Sequence, residues 1–158
     1  MRKVLTSGLA VFAGMVSMPT NMSKQPVPMT PIPDYRHDPR LQTLQKFFGK
    51  AGCPAQKYSQ KFLEAADAND LDWRLLPSLS FVESTGGKAA KNNNLFGWDS
   101  GRAGFESPIA SIETVGYRLS HSDLYRDKDL DEILATYNPN EDYAQRVKFV
   151  MRQISPSE

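Results

Sequence analysis

The sequence predicts an all-α domain of about five to seven helices around one core. Three observations carry this. Apolar residues recur at three- and four-residue intervals from Asp38 almost to the C-terminus. No strand-like alternation of useful length interrupts them. Helix-boundary signals (Pro54, Asp72, Ser107-Pro108, Asn138-Pro139-Asn140) fall between the periodic stretches. The chain has 158 residues, 40% hydrophobic and 23% charged, which suits one domain with a tail to spare; no internal repeat is visible.

Residues 1–23 read as a secretory signal. Arg2-Lys3 supply the positive start, and Val4 to Met18 form an uncharged, largely apolar run. That run falls short of the roughly 20 residues a membrane-spanning helix needs, so no stable membrane insertion is expected. Maturation is expected between Ala13 and Lys24, and a retained anchor is the alternative. Residues 24–40 hold Pro26, Pro28, Pro31, Pro33 and Pro39 and read as an extended linker. The domain proper is expected over 41–158. Leu41, Leu44, Phe47 and Phe48 mark a first helix ending near Gly49 or Gly52. Pro54 opens a second, marked by Tyr58, Phe62, Ala65 and Ala66. Asp72 can cap a third, which leads to Glu83. Pro77 fits a helix only in its first turn or at a break, which leaves room for a separate tight turn over Trp73–Leu76. Ser107-Pro108 starts the stripe Ile112, Val115, Gly116, Leu119. Leu130, Ile133, Leu134 and Tyr137 form another. The last helix carries Tyr143, Val147, Val150 and Ile154, with Glu141 and Asp142 early and Arg146, Lys148 and Arg152 late, as the helix dipole prefers.

Charge excludes one function class. The formal net charge is +1, and without Arg2 and Lys3 it becomes −1. A duplex nucleic-acid binder needs a concentrated basic face, so no nucleic-acid partner is expected. Cys53 is the single cysteine, which rules out an internal disulfide. Gly86-Gly87-Lys88 fails as a phosphate loop, with Val82 and Ala89 where Gly and Ser/Thr belong. Asp127, Asp129 and Asp131 have calcium-loop spacing, but Glu132 replaces the turn glycine and Asn138 the bidentate Glu. An acidic helix start is the better reading. His121 lies between Ser120 and Ser122, and adjacent helix residues do not face one another, so no hydrolase triad forms. His37 and His121 are too isolated for zinc, and Lys50-Ala51-Gly52-Cys53 is too far from the leader to be a lipoprotein box. No metal and no cofactor is expected.

One stretch carries chemistry. Leu75, Leu76, Leu79 and Val82 form an apolar stripe, and Glu83 lies four residues after Leu79 on the same side. Ser84-Thr85-Gly86-Gly87 follows, where the glycines permit a left-handed helix cap. A carboxylate there is placed to act as a tuned acid. The alternative is an exposed helix-end glutamate, since Glu is seldom buried without a partner. After Asn92-Asn93-Asn94, the apolar plug Leu95-Phe96-Gly97-Trp98 can fold back over Glu83.

These residues resemble a known family. Leu75-Leu76-Pro77 with Phe81-Val82-Glu83-Ser84 is similar to the catalytic helix of the lysozyme-like superfamily, closest to bacterial glucosaminidase-family proteins. Asn94-Leu95-Phe96-Gly97, then Phe105 and Ser107–Leu119, then Tyr137-Asn138-Pro139 and Tyr143–Ile154, follow in the family's order. Tyr137-Asn138 also looks like the Tyr-Asn pair of lytic transglycosylases. The resemblance spans roughly Gln56 to Ile154 and implies a lysozyme-like helical domain. In it Glu83 would be the catalytic general acid. Asn94 and Phe96 would line the sugar groove, Trp98 would stack on a sugar, Tyr137 would support the acid or the substrate's acetamido group, and Asn138 would contact substrate. Core packing is the alternative for Leu95, Phe96 and Tyr137, and a lid over the core for Trp98.

The chain departs from the family at the β-lobe. Only Asp99 to Gly104 separate Trp98 from Phe105, so the lobe is reduced or absent. Asp99 and Glu106 remain as candidates for a second carboxylate. Glycoside cleavage needs one protonated acid beside the leaving oxygen and a second group opposite, which the substrate's own N-acetyl or 6-hydroxyl group can replace. The resemblance therefore implies a periplasmic or secreted, monomeric enzyme. It would cleave the β-1,4 bond between N-acetylhexosamines of peptidoglycan or a related polymer. A noncatalytic peptidoglycan- or chitooligosaccharide-binding domain is the alternative.

Overall fold

The computed structural model describes residues 33–156. Those residues fold as six α-helices: α1 (Pro39–Lys50), α2 (Ser59–Ala68), α3 (Leu75–Ser84), α4 (Pro108–His121), α5 (Leu130–Tyr137) and α6 (Glu141–Ile154). Short 3-10 turns precede α1 (Tyr35–His37) and α2 (Pro54–Tyr58). Among the described residues there is no sheet, only an isolated bridge between Lys91 and Asn94. The all-α reading holds. No helix among them is long and apolar enough to cross a membrane. The signal expected over 1–23 and most of the 24–40 linker lie outside the described residues.

The end of that linker is corrected. Pro39 is the first residue of α1, Asp38 caps it by accepting from the Arg40 N–H, and Tyr35 is buried. The proline count suggested extended chain, but proline at a helix's first position loses no hydrogen bond and already has helical φ. Two side chains tie this start to α2. The Tyr35 hydroxyl donates to Asp67 at 2.9 Å, and the Arg40 guanidinium donates to both Asp38 and Asp67. Arg40 holds the Asp67 carboxyl below the usual carboxylate range, and burial with the Asp67 bond pushes the Tyr35 phenol up to about 12. A depressed carboxyl stabilises the fold above its unfolded pKa, and that stability is lost as pH falls through its folded pKa. Asp67→Asn is therefore expected to flatten the fall in unfolding free energy below about pH 4, measured by urea titration across pH. An unchanged slope would count against the link.

α3 is the central element. Leu75, Leu76, Pro77, Ser78, Leu79 and Ser80 are all buried, and the helix packs along α6 and α2. The separate turn allowed for Trp73–Leu76 is not formed by all four residues: Leu75 and Leu76 begin α3. Pro77 then falls in the first turn, where its missing N–H is no loss. Asp72 is not the cap expected of it: Arg74 holds that position with no side-chain cap bond, and Asp72 lies two residues earlier, accepting from the Arg74 backbone with its carboxylate and from Leu75 with its carbonyl. α4 lies across α2 and α3 at Gly116, where a Cβ would sit 3.3 Å from Leu76 and 3.4 Å from Ala65. Ser107 caps α4, and Asp129 with Glu132 forms a full capping box on α5. The Asp127–Asp131 run is thus a capped helix start.

Candidate functional site

The site is built where α3 stops. The left-handed residue that caps it is Thr85, at φ 52°, one position earlier than the glycines suggested. A β-branched residue rarely adopts this conformation, and it persists only where its surroundings impose it. Here the Thr85 N–H bonds the Phe81 carbonyl, and the Gly86 N–H bonds that of Ser80. The Ser84 hydroxyl lies 2.8 Å from the Leu95 carbonyl and 3.0 Å from that of Ser80, and accepts from the Gly87 N–H. It joins the helix end to the following loop. Gly86, at φ 58°, lies so close to Cys53 that a Cβ there would meet its side chain at 2.7 Å. The buried Cys53 thiol has its pKa pushed up by desolvation.

The loop after α3 is organised by Asn94. Its side-chain oxygen accepts from the N–H groups of Phe96 and Trp98, and its amide donates to the carbonyls of Trp98 and Ala103. Asn94 is 4% exposed and Phe96 is fully buried, with Phe96 packed edge-on to Phe62. Neither side chain lines a groove, which corrects the substrate-contacting roles expected for them. The Asn94 amide is saturated by the loop it shapes, and the Phe96 ring belongs to the core. Phe96 contributes its carbonyl instead, which accepts from the Tyr137 hydroxyl.

Glu83 is half-buried at this junction. Gly97, at φ 58°, presses its backbone on the carboxylate, so that a Cβ there would lie 2.6 Å from Glu83 Oε2. Two phenols approach from the other elements. The Tyr143 hydroxyl, on the first turn of α6, is buried and faces Glu83 but makes no hydrogen bond. Burial first, and Glu83 second, push the pKa of both Tyr143 and Tyr137 far up, so both stay protonated at any working pH. Their rings stack at 5.8 Å, and Tyr137 meets Trp98 edge-on at 5.7 Å.

A cleft of about 470 Å³ opens beside this row, walled by Gly97, Trp98, Asp99, Ser100, Ala103, Arg118, Tyr125 and Tyr137. Glu83 is not itself in the wall; it lies directly behind Gly97. Asp99 is exposed in this wall and paired with Arg102 at 2.8 Å, which holds its carboxyl below the usual range. Glu106 is exposed and outside the wall, just before the α4 cap. Asn138 is the C-cap of α5, and its side-chain oxygen accepts from the Asn140 N–H. The structure thus groups Trp98, Tyr137 and Asp99 with Gly97 against Glu83, and leaves Asn94, Phe96, Glu106 and Asn138 outside. The plug expected to fold back over Glu83 does so at Gly97, while sequence reasoning missed Tyr143 as a neighbour of the acid and Arg118 and Tyr125 as cleft walls. Tyr143 stood on an apolar stripe, which reads as core. Arg118 and Tyr125 carried no local signal.

Gly97→Ala tests the contact with Glu83. The added methyl must displace the carboxylate and sit in a left-handed backbone that disfavours alanine by about 1–2 kcal/mol. The expected result is a melting temperature lowered by several degrees together with impaired function of Glu83. A variant with unchanged melting and function would remove Gly97 from the site.

Comparison of the chain with protein-family models, curated proteins and solved structures finds no match.

Proposed function

We propose that this chain is a lysozyme-like, glucosaminidase-type enzyme. On this reading it is secreted or periplasmic and cleaves the β-1,4-linked N-acetylhexosamine strand of peptidoglycan with Glu83 as general acid. The observation that carries the reading is the setting of Glu83. Its carboxylate sits at the end of an apolar helix, against Gly97, with the buried phenols of Tyr143 and Tyr137 nearby and an aromatic cleft beside it. Sugar rings present apolar faces that pack on aromatic side chains, and their hydroxyl and acetamido groups need fixed polar partners.

Glu83 would give its proton to the leaving glycosidic oxygen as the C–O bond breaks and positive charge grows on the ring. The Tyr143 hydroxyl, buried and without a partner, would be the group that engages the carboxyl as the site closes on substrate. Tyr137 is itself held by the Phe96 carbonyl, which ties the acid's surroundings to the Asn94 loop. The carboxylate opposite is the missing part. Asp99 is exposed and engaged by Arg102, on a loop that would have to bring it to about 5 Å from Glu83 to serve as a nucleophile. The substrate would therefore supply that group, through its acetamido oxygen or its 6-hydroxyl, with no metal or cofactor required.

The test is digestion of purified cell-wall sacculi, with products read by mass spectrometry. Anhydromuramyl ends would mark attack by the 6-hydroxyl, and reducing N-acetylhexosamine ends hydrolysis. The placement of Glu83 behind the cleft wall favours one second reading, a glycan-binding domain without turnover. Sacculi bound but left intact would select it, and no binding at all would reject both.

A further inference from the structure

We propose that Arg118 is the specificity-determining residue of the cleft and reads a carboxylate carried by the bound glycan; this rests on the glycan-binding reading above. Arg118 stands on the exposed side of α4 and forms part of the cleft wall. Its guanidinium lies over the Trp98 ring, 5.7 Å from the centroid. Among the described residues it has no ion pair and no side-chain hydrogen bond. On its own helix, the residues one turn away are Thr114, Val115, His121 and Ser122, none of them acidic. The acid that shares the cleft, Asp99, is taken by Arg102.

The other exposed cations described near acids are mostly spent on them: Arg36 on Asp34, Arg102 on Asp99, Arg126 on Asp123. Arg146 lies over Tyr143 in the same manner but outside the cleft wall, so Arg118 is set apart by combining two features there. It is oriented by an aromatic face rather than by a carboxylate, and its donors stay open toward the cleft. A guanidinium already held over an aromatic face loses less freedom when it binds. Its fork matches a carboxylate with two parallel N–H···O bonds. A neutral chitin-type chain offers nothing for those donors that water does not. A muramyl residue stripped of its peptide offers the carboxylate of its lactyl ether, and a peptide-bearing strand offers the carboxylates of its stem. The cleft thus selects an acidic glycan and orients it by that charge.

The test uses the full chain carrying Glu83→Gln, so that ligands are not consumed, with and without Arg118→Gln or Arg118→Lys. Binding is measured by titration calorimetry against three probes: chitotetraose, a stripped disaccharide-repeat tetrasaccharide with free lactyl carboxylates, and the same strand with its stem peptides. The expected result is a preference of about five- to tenfold for an acidic probe over chitotetraose. Arg118→Gln should erase the preference and Arg118→Lys keep part of it, with the preference shrinking as salt rises. Which acidic probe shows the effect identifies the carboxylate. A stacking role alone would lower all three affinities equally and leave the ratio intact. Equal affinities for acidic and neutral probes, or a ratio unmoved by Arg118→Gln, overturn the proposal while glycan binding stands. Binding to none of the three overturns the glycan reading and this proposal with it.

Discussion

Glu83→Gln is expected to reduce glycan-strand cleavage by at least about 100-fold, the usual scale for loss of a general acid, while the protein remains folded. Gln keeps the length and planarity of the side chain and still fits against Gly97, but it cannot deliver an acidic proton. Glu83 has no ion pair among the described residues, so the substitution strands no partner charge. Unfolding curves of the variant and the parent should therefore nearly superimpose while activity separates. Asp99→Asn and Glu106→Gln are expected to lower activity far less. Asp99 is exposed and paired to Arg102, and Glu106 stands outside the cleft. Folded Glu83→Gln protein with near-parental turnover would remove the assignment, whereas a glycosyl ester trapped on Asp99 or Glu106 would replace substrate assistance with a protein nucleophile.

The largest effect on stability is expected at Asn94. Its side chain holds two backbone N–H groups and two carbonyls of the loop that covers Glu83. Asn94→Ala removes that partner from all four; the Trp98 carbonyl keeps the Gly101 and Ala103 N–H groups, and each of the other three, if left buried and unsatisfied, costs about 1–3 kcal/mol. With the loop partly rehydrated, a loss of roughly 3 kcal/mol is expected, or on the order of 10 °C in melting temperature. Asn94→Asp distinguishes the two halves of the network. It keeps the acceptor for Phe96 and Trp98 but turns a carboxylate toward the carbonyls of Trp98 and Ala103. Were Asn94 a sugar-contacting residue, either change would weaken ligand binding and leave the unfolding transition where it was.

What the sequence revealed follows physical locality. Helix starts were legible because their causes lie within four residues: Ser107 before Pro108, Asn140 before Glu141, Asp129 with Glu132. The stop after Ser84 was legible for the same reason, although Thr85 takes the strained conformation and the glycines follow. The boundary at residue 40 was misplaced because Tyr35 is held by Asp67, a partner 32 residues away that no local pattern announces. The site divides in the same way. Glu83 stood out through its spacing on one helix. The cleft wall beside it is drawn from the α3–α4 loop, from α4, from Tyr125 and from α5, and only tertiary packing brings these together. Asn94 and Phe96 show the converse: a motif can be essential to a site's shape while its side chains face inward.

The contact between Gly86 and Cys53 makes the chain's one thiol a clock. The Ala55 N–H bonds the Gly86 carbonyl beside it, so the thiol is sealed by the same joint that ends the acid's helix. With its pKa raised by burial, the closed protein offers almost no thiolate to an alkylating reagent. Reaction must wait for the joint to part. When closing outpaces alkylation, the observed rate reports the free energy of that opening; at high reagent concentration it reports the opening rate itself. A ligand that settles in the cleft and steadies the loop over Glu83 would slow the clock without touching the sulfur.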